Sequence, residues 1–445
     1  MNKFYIQTLG CRLNQAESEE LAQKLLTLDW QLVSDPTQAD LIVINGCVVT
    51  HKAERESRQV VRRLRRLNPR AQLVAVGCWG EKVKRLGGRV PEGIDYLIGN
   101  QDKWQELLAF IGVEPKPIQD LAQRQSGPGR GLIWIQKGCS NQCSYCLTRL
   151  VRRTLVSKPA EQVIAEINQA LKAGAQEIVL TGQNLSQYWY QGWSWIDLVA
   201  LILEKTPVGL LRLGSINPLL VEFGPIKRTG FQATLKAARQ LVALYQGLGR
   251  DRLARHLHLS CQSGSDRVLA LMGRNYRRRH FEQVARVLQA GVPGINLTTD
   301  IIVGFPGETE TDFQETLDLV RKVAFGKIHI FRYSTRQGTL AAERESAWGR
   351  VTEGVKRERA QQLSQLEQRQ RRRFWRRHLG QELSAIIWPQ TSQATNQGLT
   401  DNYLPFRLVR PLALDRAALA RVKLVALDQE GLKAELVEFS QSQKR

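Results

Sequence analysis

The chain has 445 residues, more than one ordinary domain, so we expect two or three domains. Its formal net charge of +22 favours a polyanionic partner, and nucleic acid before a membrane, because no long uninterrupted apolar stretch is present. Seven cysteines, an odd number, argue against a disulfide framework and for a reducing cytoplasm, and we expect no signal peptide at the first residues.

Three cysteines in the first part of the chain each follow a strand-like run and a glycine. The stretches between them have helical composition, and this β-α-β-α-β order predicts a parallel sheet. All three cysteines then fall at one edge of the sheet, where three thiolates suit an iron–sulfur cluster with one open iron; three buried structural cysteines are the alternative. The three glycine–cysteine pairs are Gly10-Cys11, Gly46-Cys47 and Gly77-Cys78.

A second set of cysteines lies close together in the chain. Residues 114–130, rich in Pro, Gly and Gln, predict a linker, and an apolar run at Leu132–Ile135 predicts a strand after it. Cys139, Cys143 and Cys146 follow this strand, at a spacing that folds one loop around a single iron–sulfur cube. A zinc knuckle or buried thiols are the alternative, but three closely spaced cysteines without a histidine in the loop are a poor zinc set. Three ligands leave one iron of the cluster without a protein ligand, which indicates that the cluster takes part in a reaction.

Strand-like runs then alternate with helical segments up to about residue 331. Together with the strand before the cysteine loop they give six parallel strands, which predict a partial (β/α) barrel with its mouth at the carboxyl ends of the strands. The six histidines form no cluster in the sequence, and we assign none of them a role. The five further runs are 178–180, 211–213, 257–259, 301–303 and 328–331.

The cysteine loop resembles that of the radical S-adenosylmethionine (SAM) enzymes, in which SAM occupies the open iron and is cleaved to a 5'-deoxyadenosyl radical. Further motifs extend the likeness over nearly the whole chain, to the methylthiotransferase family of these enzymes. The motifs are Thr8–Gln15, Asn45–Thr50, Val76–Cys78, Gly138–Cys146, Leu180–Asn184, Gln262–Asp266 and Thr298–Glu310.

This resemblance implies an α/β fold of three domains. We expect an N-terminal parallel α/β sandwich (1–113), the linker (114–130), a partial (β/α)6 radical SAM barrel (131–378) and a small C-terminal β-barrel similar to the TRAM module (379–445). The resemblance also implies two [4Fe–4S] clusters and SAM as cofactors. Cys139, Cys143 and Cys146 would hold the cluster that makes the radical, and Cys11, Cys47 and Cys78 an auxiliary cluster that carries or donates sulfur. No side chain is expected to be catalytic, because the clusters and SAM carry the chemistry.

Contacts to SAM are expected from polar residues and exposed backbone at the carboxyl ends of the central strands. For Ser215, Gln262 and Ser263, a turn residue capping the next helix is an equal alternative. The expected SAM contacts are Gly182, Gln183, Asn184, Ser215, Gln262, Ser263 and Val303.

Contacts to RNA are expected where basic residues alternate with aromatic ones. Arginines also crowd the segment 55–66, for which a solvated helix face is the alternative. The small C-terminal barrel contains a segment, 398–403, that resembles the RNA-binding module of the family. The expected RNA contacts are Arg372, Arg373, Trp375, Arg376, Asn402 and Tyr403.

Within the family, the chain looks most like the branch that methylthiolates C2 of N6-threonylcarbamoyladenosine beside the tRNA anticodon, at adenosine 37. The same chemistry on isopentenyladenosine of tRNA, or on an aspartate of a ribosomal protein, is the alternative. An alternative of another class is an iron–sulfur RNA-binding protein without radical chemistry. We expect tRNA, a low-potential electron donor and a sulfur donor as partners, no membrane, a monomer and a cytoplasmic location.

The chain also departs from the family pattern. Leu147–Arg153 stands where the family usually has a proline and an Arg-Gly-Arg run, and Ser260-Cys261 replaces an apolar pair. Thr335 and Gln337 occupy positions where prolines are typical, and the segment 219–250 is longer than usual. A longer segment beside the barrel mouth would change which substrate enters.

Overall fold

The computed structural model describes residues 2–87, 90–114, 129–222, 230–390 and 395–440. The chain packs into two compact units. The first unit comprises Met1–Gln125, Lys137–Leu155 and Ser334–Glu343, and the second comprises Ser126–Gln136, Val156–Tyr333 and Arg344–Arg445. Most of the predicted linker lies outside the described residues, so its limits stay a prediction.

The first unit is built on a five-stranded parallel sheet, as the sequence predicts. Its strand order is β2-β1-β3-β4-β5. The central strand β3 is buried along its whole length, which explains why it reads as a continuous apolar run. The elements of this part are β1 (Lys3–Thr8), α1 (Arg12–Leu26), β2 (Gln31–Leu32), β3 (Leu41–Gly46), α2 (His51–Leu67), β4 (Gln72–Gly77), α3 (Cys78–Leu86), β5 (Tyr96–Leu97) and α4 (Lys103–Ile111).

The central part of the chain contains the elements that follow, in order. They are β6 (Arg130–Lys137), α5 (Thr148–Val151), β7 (Val156–Ser157), α6 (Ala160–Lys172), β8 (Glu177–Gly182), β9 (Trp189–Tyr190), β10 (Trp193–Ser194), α7 (Trp195–Lys205), β11 (Leu210–Leu213), β12 (Ser215–Ile216), α8 (Phe231–Gln246), β13 (His256–Leu259), α9 (Asp266–Leu271), α10 (Arg278–Gly291), β14 (Asn296–Val303), α11 (Glu310–Val323), β15 (Lys327–Arg332), α12 (Leu340–Glu343), α13 (Glu345–Trp348) and α14 (Glu353–Arg376).

The six predicted central strands are present as β6, β8, β11, β13, β14 and β15. Together with the short strands β7 and β12, they form two four-stranded sheets, with orders β11-β8-β6-β7 and β12-β13-β14-β15. A parallel bridge between Leu211 and Leu253 joins β11 to the chain that enters β13. Apolar side chains from one face of these strands pack with the surrounding helices into one large core. This arrangement confirms the predicted α/β barrel class.

The C-terminal segment closes into a five-stranded barrel, as predicted. Its strands are β16 (Glu382–Ile387), β17 (Gln397–Thr400), β18 (Pro405–Leu408), β19 (Ala418–Leu427) and β20 (Leu432–Phe439), in the order β16-β17-β18-β20-β19. Alternate residues of these strands point inward and make a small apolar core of their own. Among the described residues, no helix is long and apolar enough to span a membrane.

The C-terminal barrel is fixed to the central strands by polar contacts within the second unit. The fully buried Arg212 of β11 donates from Nε to Glu177 (2.8 Å) and from its two terminal nitrogens to the carbonyls of Thr400 and Asp401 (both 3.1 Å). Arg255 binds the carboxylate of Asp401 at 2.6 Å. Each charged side chain in this contact has a partner, which offsets the cost of burying it. The same contacts orient the barrel.

Candidate functional site: two sets of three cysteines

The cysteine loop belongs to the first unit, and its two ends meet. Gly138 has φ of +77°, and a Cβ atom there would lie 2.0 Å from the carbonyl oxygen of Thr154, so only glycine fits at the point where the loop closes. The backbone N–H of Cys146 donates to the carbonyl of Cys143 at 3.2 Å, which winds the loop tightly. Burial raises the pKa of the Cys146 thiol.

The other three cysteines follow the carboxyl ends of the neighbouring strands β1, β3 and β4. The sheet register pairs Gly46 directly with Gly77, which places Cys47 and Cys78 side by side. Gly10, with φ of +97°, packs against Cys47 so closely that a Cβ atom would lie 2.6 Å from the Cys47 Cβ. The structure thus brings the three cysteines together at one sheet edge. Burial raises the pKa of Cys47 to about 11.

A residue that no sequence motif indicated lies against this second set. Arg152 comes from the end of the cysteine loop and is buried beside Cys78, with its Nε 3.1 Å from the Cys78 sulfur. A terminal nitrogen donates to Asn14 Oδ1 at 2.9 Å, and the same oxygen lies 3.6 Å from the Cys11 sulfur. The segment after Cys146 therefore reaches from one cysteine set to the other.

A buried carboxylate holds Arg152 in place. Glu17 accepts hydrogen bonds from Arg152 at 2.7 and 2.8 Å and from Lys103 at 2.5 Å, and Lys137 lies 3.5 Å away. Burial alone would raise the pKa of Glu17, but the charges of Arg152 and Lys103 hold it well below its usual range. The edge thus carries a fixed cationic network next to the three sulfurs.

The segment after β15 supports the backbone beyond Cys47. Arg336 donates to the carbonyl of Val48 and to Glu54 at 2.8 Å, and Glu54 also binds Lys82 at 2.7 Å. Burial opposes ionisation of Glu54, but the hydrogen bonds from Lys82 and Arg336 lower its pKa to about 2. The motif around Arg336 is therefore structural in the first unit.

Of the residues expected to contact SAM, those after β8 lie at the end of that strand. A Cβ atom on Gly182 would lie 2.7 Å from the carbonyl of Gln136, so β6 and β8 approach closely there. Asn184 is a structural residue of this turn, since its amide nitrogen donates to Glu222 and its oxygen caps the next 3₁₀ turn at Ser186. Gln183 and Ser215 are partly exposed.

Three expected SAM contacts lie at the ends of β13 and β14. Gln262 has φ of +71° and pairs by its backbone with Asp300 and Ile302. The fully buried hydroxyl of Ser263 contacts the backbone N–H of Ser265 and the hydroxyl of Thr316, and its contact to SAM stays a prediction. Val303 is also fully buried, and its carbonyl accepts a hydrogen bond from Tyr333.

The residues expected to contact RNA divide into two groups. Arg372, Arg373 and Arg376 are exposed on α14, and Trp375 packs partly against the C-terminal barrel. Asn402 and Tyr403 contact the central strands and the turn before them, and so dock that barrel.

Asn402 and Tyr403 have partners within the protein, and their contact to RNA stays a prediction. Asn402 is fully buried, donates to the carbonyl of Gly294 at 3.3 Å and accepts from Asn296 at 2.9 Å. The ring of Tyr403 stacks on His256, with 4.2 Å between centroids.

Both cysteine sets suit an iron–sulfur cluster by the chemistry of their donors. All six cysteines are free thiols, and each set presents three sulfurs. Residues 133–320 match the radical SAM superfamily, and residues 3–99 match the uncharacterized protein family UPF0004. The chain is thus a radical SAM enzyme, which implies one [4Fe–4S] cluster and SAM.

Proteins of similar sequence show which family of radical SAM enzymes the chain belongs to. The chain is 31% identical over 422 residues to the threonylcarbamoyladenosine tRNA methylthiotransferase MtaB of Aquifex aeolicus, covering 91% of this chain and 96% of that protein. It is 32% identical to the protein of the same name from Thermotoga maritima, over 98% of each. It is also 32% identical to the tRNA-2-methylthio-N(6)-dimethylallyladenosine synthase of Moorella thermoacetica, over 82% of each. The chain belongs to the methylthiotransferase family of radical SAM enzymes.

A solved structure shares the fold. The radical SAM methyltransferase TsrM from Kitasatospora setae superposes with a TM-score of 0.54 at 15% identity, over 77% of each chain.

Proposed function

We propose that this protein transfers a methylthio group to C2 of N6-threonylcarbamoyladenosine at adenosine 37 of tRNA. The observation that carries the proposal is the presence, within one compact unit, of two separate sets of three cysteines. Their division of labour would follow the family: SAM bound at the loop set supplies a 5'-deoxyadenosyl radical that removes hydrogen, and the strand set supplies methylated sulfur.

Cys11, Cys47 and Cys78 would hold the second [4Fe–4S] cluster. Four features of the site support this part of the proposal. The three cysteines share one sheet edge, and the strand register places Cys47 beside Cys78. Gly10 has no side chain and so lets its backbone pack against Cys47, and a guanidinium lies 3.1 Å from the Cys78 sulfur. A positive charge at that distance would offset part of the negative charge of a cluster bound by three thiolates.

SAM would bind at the carboxyl ends of the central strands. Gly182, Gln183, Ser215 and Gln262 are the groups at these strand ends that we assign to it. Gly182 is partly exposed and carries no side chain, so its backbone is open to the polar amino and carboxylate groups of SAM.

Exposed arginines would bind the phosphates of tRNA. In the second unit these are Arg372, Arg373 and Arg376 of α14. In the first unit, exposed arginines of α2 lie beside a cavity of about 710 Å³ that is lined by six basic side chains and a single acidic one. Lys and Arg contacts to phosphate provide sequence-independent affinity that weakens with salt. The six basic residues are His51, Lys52, Arg55, Arg58, Lys82 and Arg336.

The choice of threonylcarbamoyladenosine over isopentenyladenosine is supported by coverage: the two MtaB relatives match 91% and 98% of this chain, whereas the dimethylallyladenosine synthase matches 82%. A low-potential electron donor, a sulfur donor and a cytoplasmic location complete the proposal.

The test is mass spectrometry of tRNA nucleosides from cells with and without the gene. Loss of methylthio-threonylcarbamoyladenosine in the deletion supports the proposal, and its return on complementation ties it to this chain. Loss of the methylthio-isopentenyl nucleoside instead moves the activity to the sister substrate. If neither nucleoside changes, tRNA is not the substrate, and purified protein with both clusters is tested for 5'-deoxyadenosine formation. Absence of that product removes radical chemistry as well.

A further inference from the structure

Three side chains that are potential metal ligands meet on neighbouring strands of the second unit. His258 on β13, Asp300 on β14 and His329 on β15 place their ligand atoms within 4.8 Å of one another. In the linear sequence these residues are far apart, so the histidines showed no cluster there.

The strand register explains why they meet. His258 is the direct partner of Thr298, and Asp300 is the direct partner of His329. Because side chains two apart on a strand point to the same face, Asp300 lies on the same face as Thr298 and therefore beside His258. Three hydrogen-bonded parallel strands hold this set, which fixes the positions of the donor atoms.

Hydrogen-bonding partners hold the ring of His258 on both sides. Its Nδ1 lies 3.0 Å from Thr298 Oγ1, and its Nε2 lies 3.1 Å from Asp300 Oδ2. The same Thr298 hydroxyl lies 2.9 Å from His256 Nε2. With the proton on Nε2, this nitrogen donates to Asp300; with the proton on Nδ1, Nε2 presents a lone pair that a metal ion can share with the carboxylate. An imidazole whose other nitrogen is held by a hydrogen bond is the usual form of a histidine ligand.

The site is also reachable and electrostatically suited. The Asp300 side chain is 27% exposed and His329 is exposed, so an ion would enter without unfolding the barrel. Two neutral imidazoles and one carboxylate carry a charge of about −1, which one divalent cation would more than neutralise. Ser215, assigned above to SAM, is the strand partner of His258 on the other side.

We propose that His258, Asp300 and His329 bind a divalent transition-metal ion on the inner face of the central strands. Two histidines and one carboxylate suit zinc and other first-row divalent ions, and three protein ligands leave coordination positions open. An oxygen-bearing group of a substrate, a carboxylate or hydroxyl, would fill them. The metal site is independent of the proposed tRNA activity, because it is measured without RNA.

The experiment is equilibrium dialysis of the full chain, with both clusters loaded, against Zn²⁺, followed by metal analysis and zinc K-edge X-ray absorption. We expect about one bound zinc with nitrogen and oxygen neighbours at about 2.0–2.2 Å and no sulfur neighbour at about 2.3 Å. His329→Gln and Asp300→Asn should each weaken zinc binding by about tenfold or more. His280→Gln, which changes a histidine on α10 in the same unit, is the matched control and should bind like the unaltered chain.

Each other result overturns the proposal. The site is excluded if the unaltered chain takes up no zinc. It is also excluded if both variants bind as much zinc as the unaltered chain, or if the zinc has sulfur neighbours. Iron content reports whether a variant is folded, and a variant that loses its iron is replaced in the comparison by the other one.

Discussion

Cys139, Cys143 and Cys146 share one loop, whereas Cys11, Cys47 and Cys78 come from the ends of three strands that are neighbours only in the folded sheet. The loop set needs one local turn, closed where Gly138 meets Thr154. The strand set depends on the sheet register, on tight packing at Gly10 and on a buried arginine from elsewhere in the chain. We therefore expect a change in the sheet to disturb the strand set more than the loop set.

The sharpest way to separate the two sets is to remove one cysteine from each. Cys143→Ala should abolish formation of 5'-deoxyadenosine from SAM, because the loop set loses a ligand. Cys47→Ala should leave that cleavage in place and abolish methylthio insertion. Liquid chromatography with mass spectrometry of 5'-deoxyadenosine and of tRNA nucleosides measures both. Equal loss of cleavage in the two variants would contradict the division of labour.

The next largest effect should come from Arg152, which belongs to the loop segment but lies at the strand set. Arg152→Gln leaves Glu17 with weaker partners and leaves the Cys78 sulfur without its cation. Breaking a buried pair in this way costs about 3–5 kcal/mol of the free energy of unfolding. Urea unfolding and iron content measure the change, and we expect iron to be lost mainly from the strand set.

Arg153→Gln is the matched control for that change, because Arg153 is the exposed neighbour of Arg152. It should alter neither stability nor iron content. If both variants behave alike, the contacts of Arg152 do not hold the strand set together.

Two glycine substitutions test whether each set fails separately. Gly10→Ala forces a Cβ atom against Cys47, and Gly138→Ala forces one against Thr154. Each adds a backbone penalty of about 1–2 kcal/mol for a positive φ, besides the clash. We expect the first variant to lose auxiliary iron but keep SAM cleavage, and the second to lose SAM cleavage.

Gly87→Ala separates backbone strain from the clash in these two variants. Gly87 also has a positive φ, of +70°, but a Cβ atom there would meet nothing within 4 Å. Stability should fall slightly, with both activities retained. Loss of SAM cleavage in Gly10→Ala would show that the two sets are not independent.

The smallest effect should be the pH-dependent one at Glu54, which supports the strand set through Arg336. The pKa of Glu54 is about 2 in the folded protein and about 4.3 when unfolded, so its contribution is present above about pH 4.3 and lost as pH falls toward 2. Glu54→Gln should cost about 1–3 kcal/mol at pH 6 and at pH 8 alike. Urea unfolding should show a smaller penalty at pH 4; a penalty that grows with acid would contradict this assignment.

Much of the fold followed from local patterns. Apolar runs of strand length before glycine–cysteine pairs predicted the parallel sheet of the first unit, and the alternation after the cysteine loop predicted six central strands. Because every parallel strand ends at the same edge, the convergence of Cys11, Cys47 and Cys78 also followed from the order of the elements. The resemblance to the methylthiotransferases, confirmed by the relatives, rested on motifs along the chain.

Contacts between distant side chains did not follow from the sequence. Asn402 and Tyr403 were expected to meet RNA because they lie in the C-terminal barrel, yet they dock that barrel on Gly294 and His256. A polar residue on a turn has the same local signature whether its partner is RNA or another part of the chain.

The sequence by itself determined the two cysteine sets, the strands that precede them, the six central strands and the family, because these depend on spacing, periodicity and short motifs. The tertiary structure alone decided that Arg152 lies against Cys78, and that His258, Asp300 and His329 meet across three strands. Such meetings depend on strand register and on packing between segments far apart in the chain, and no short stretch of sequence contains that information.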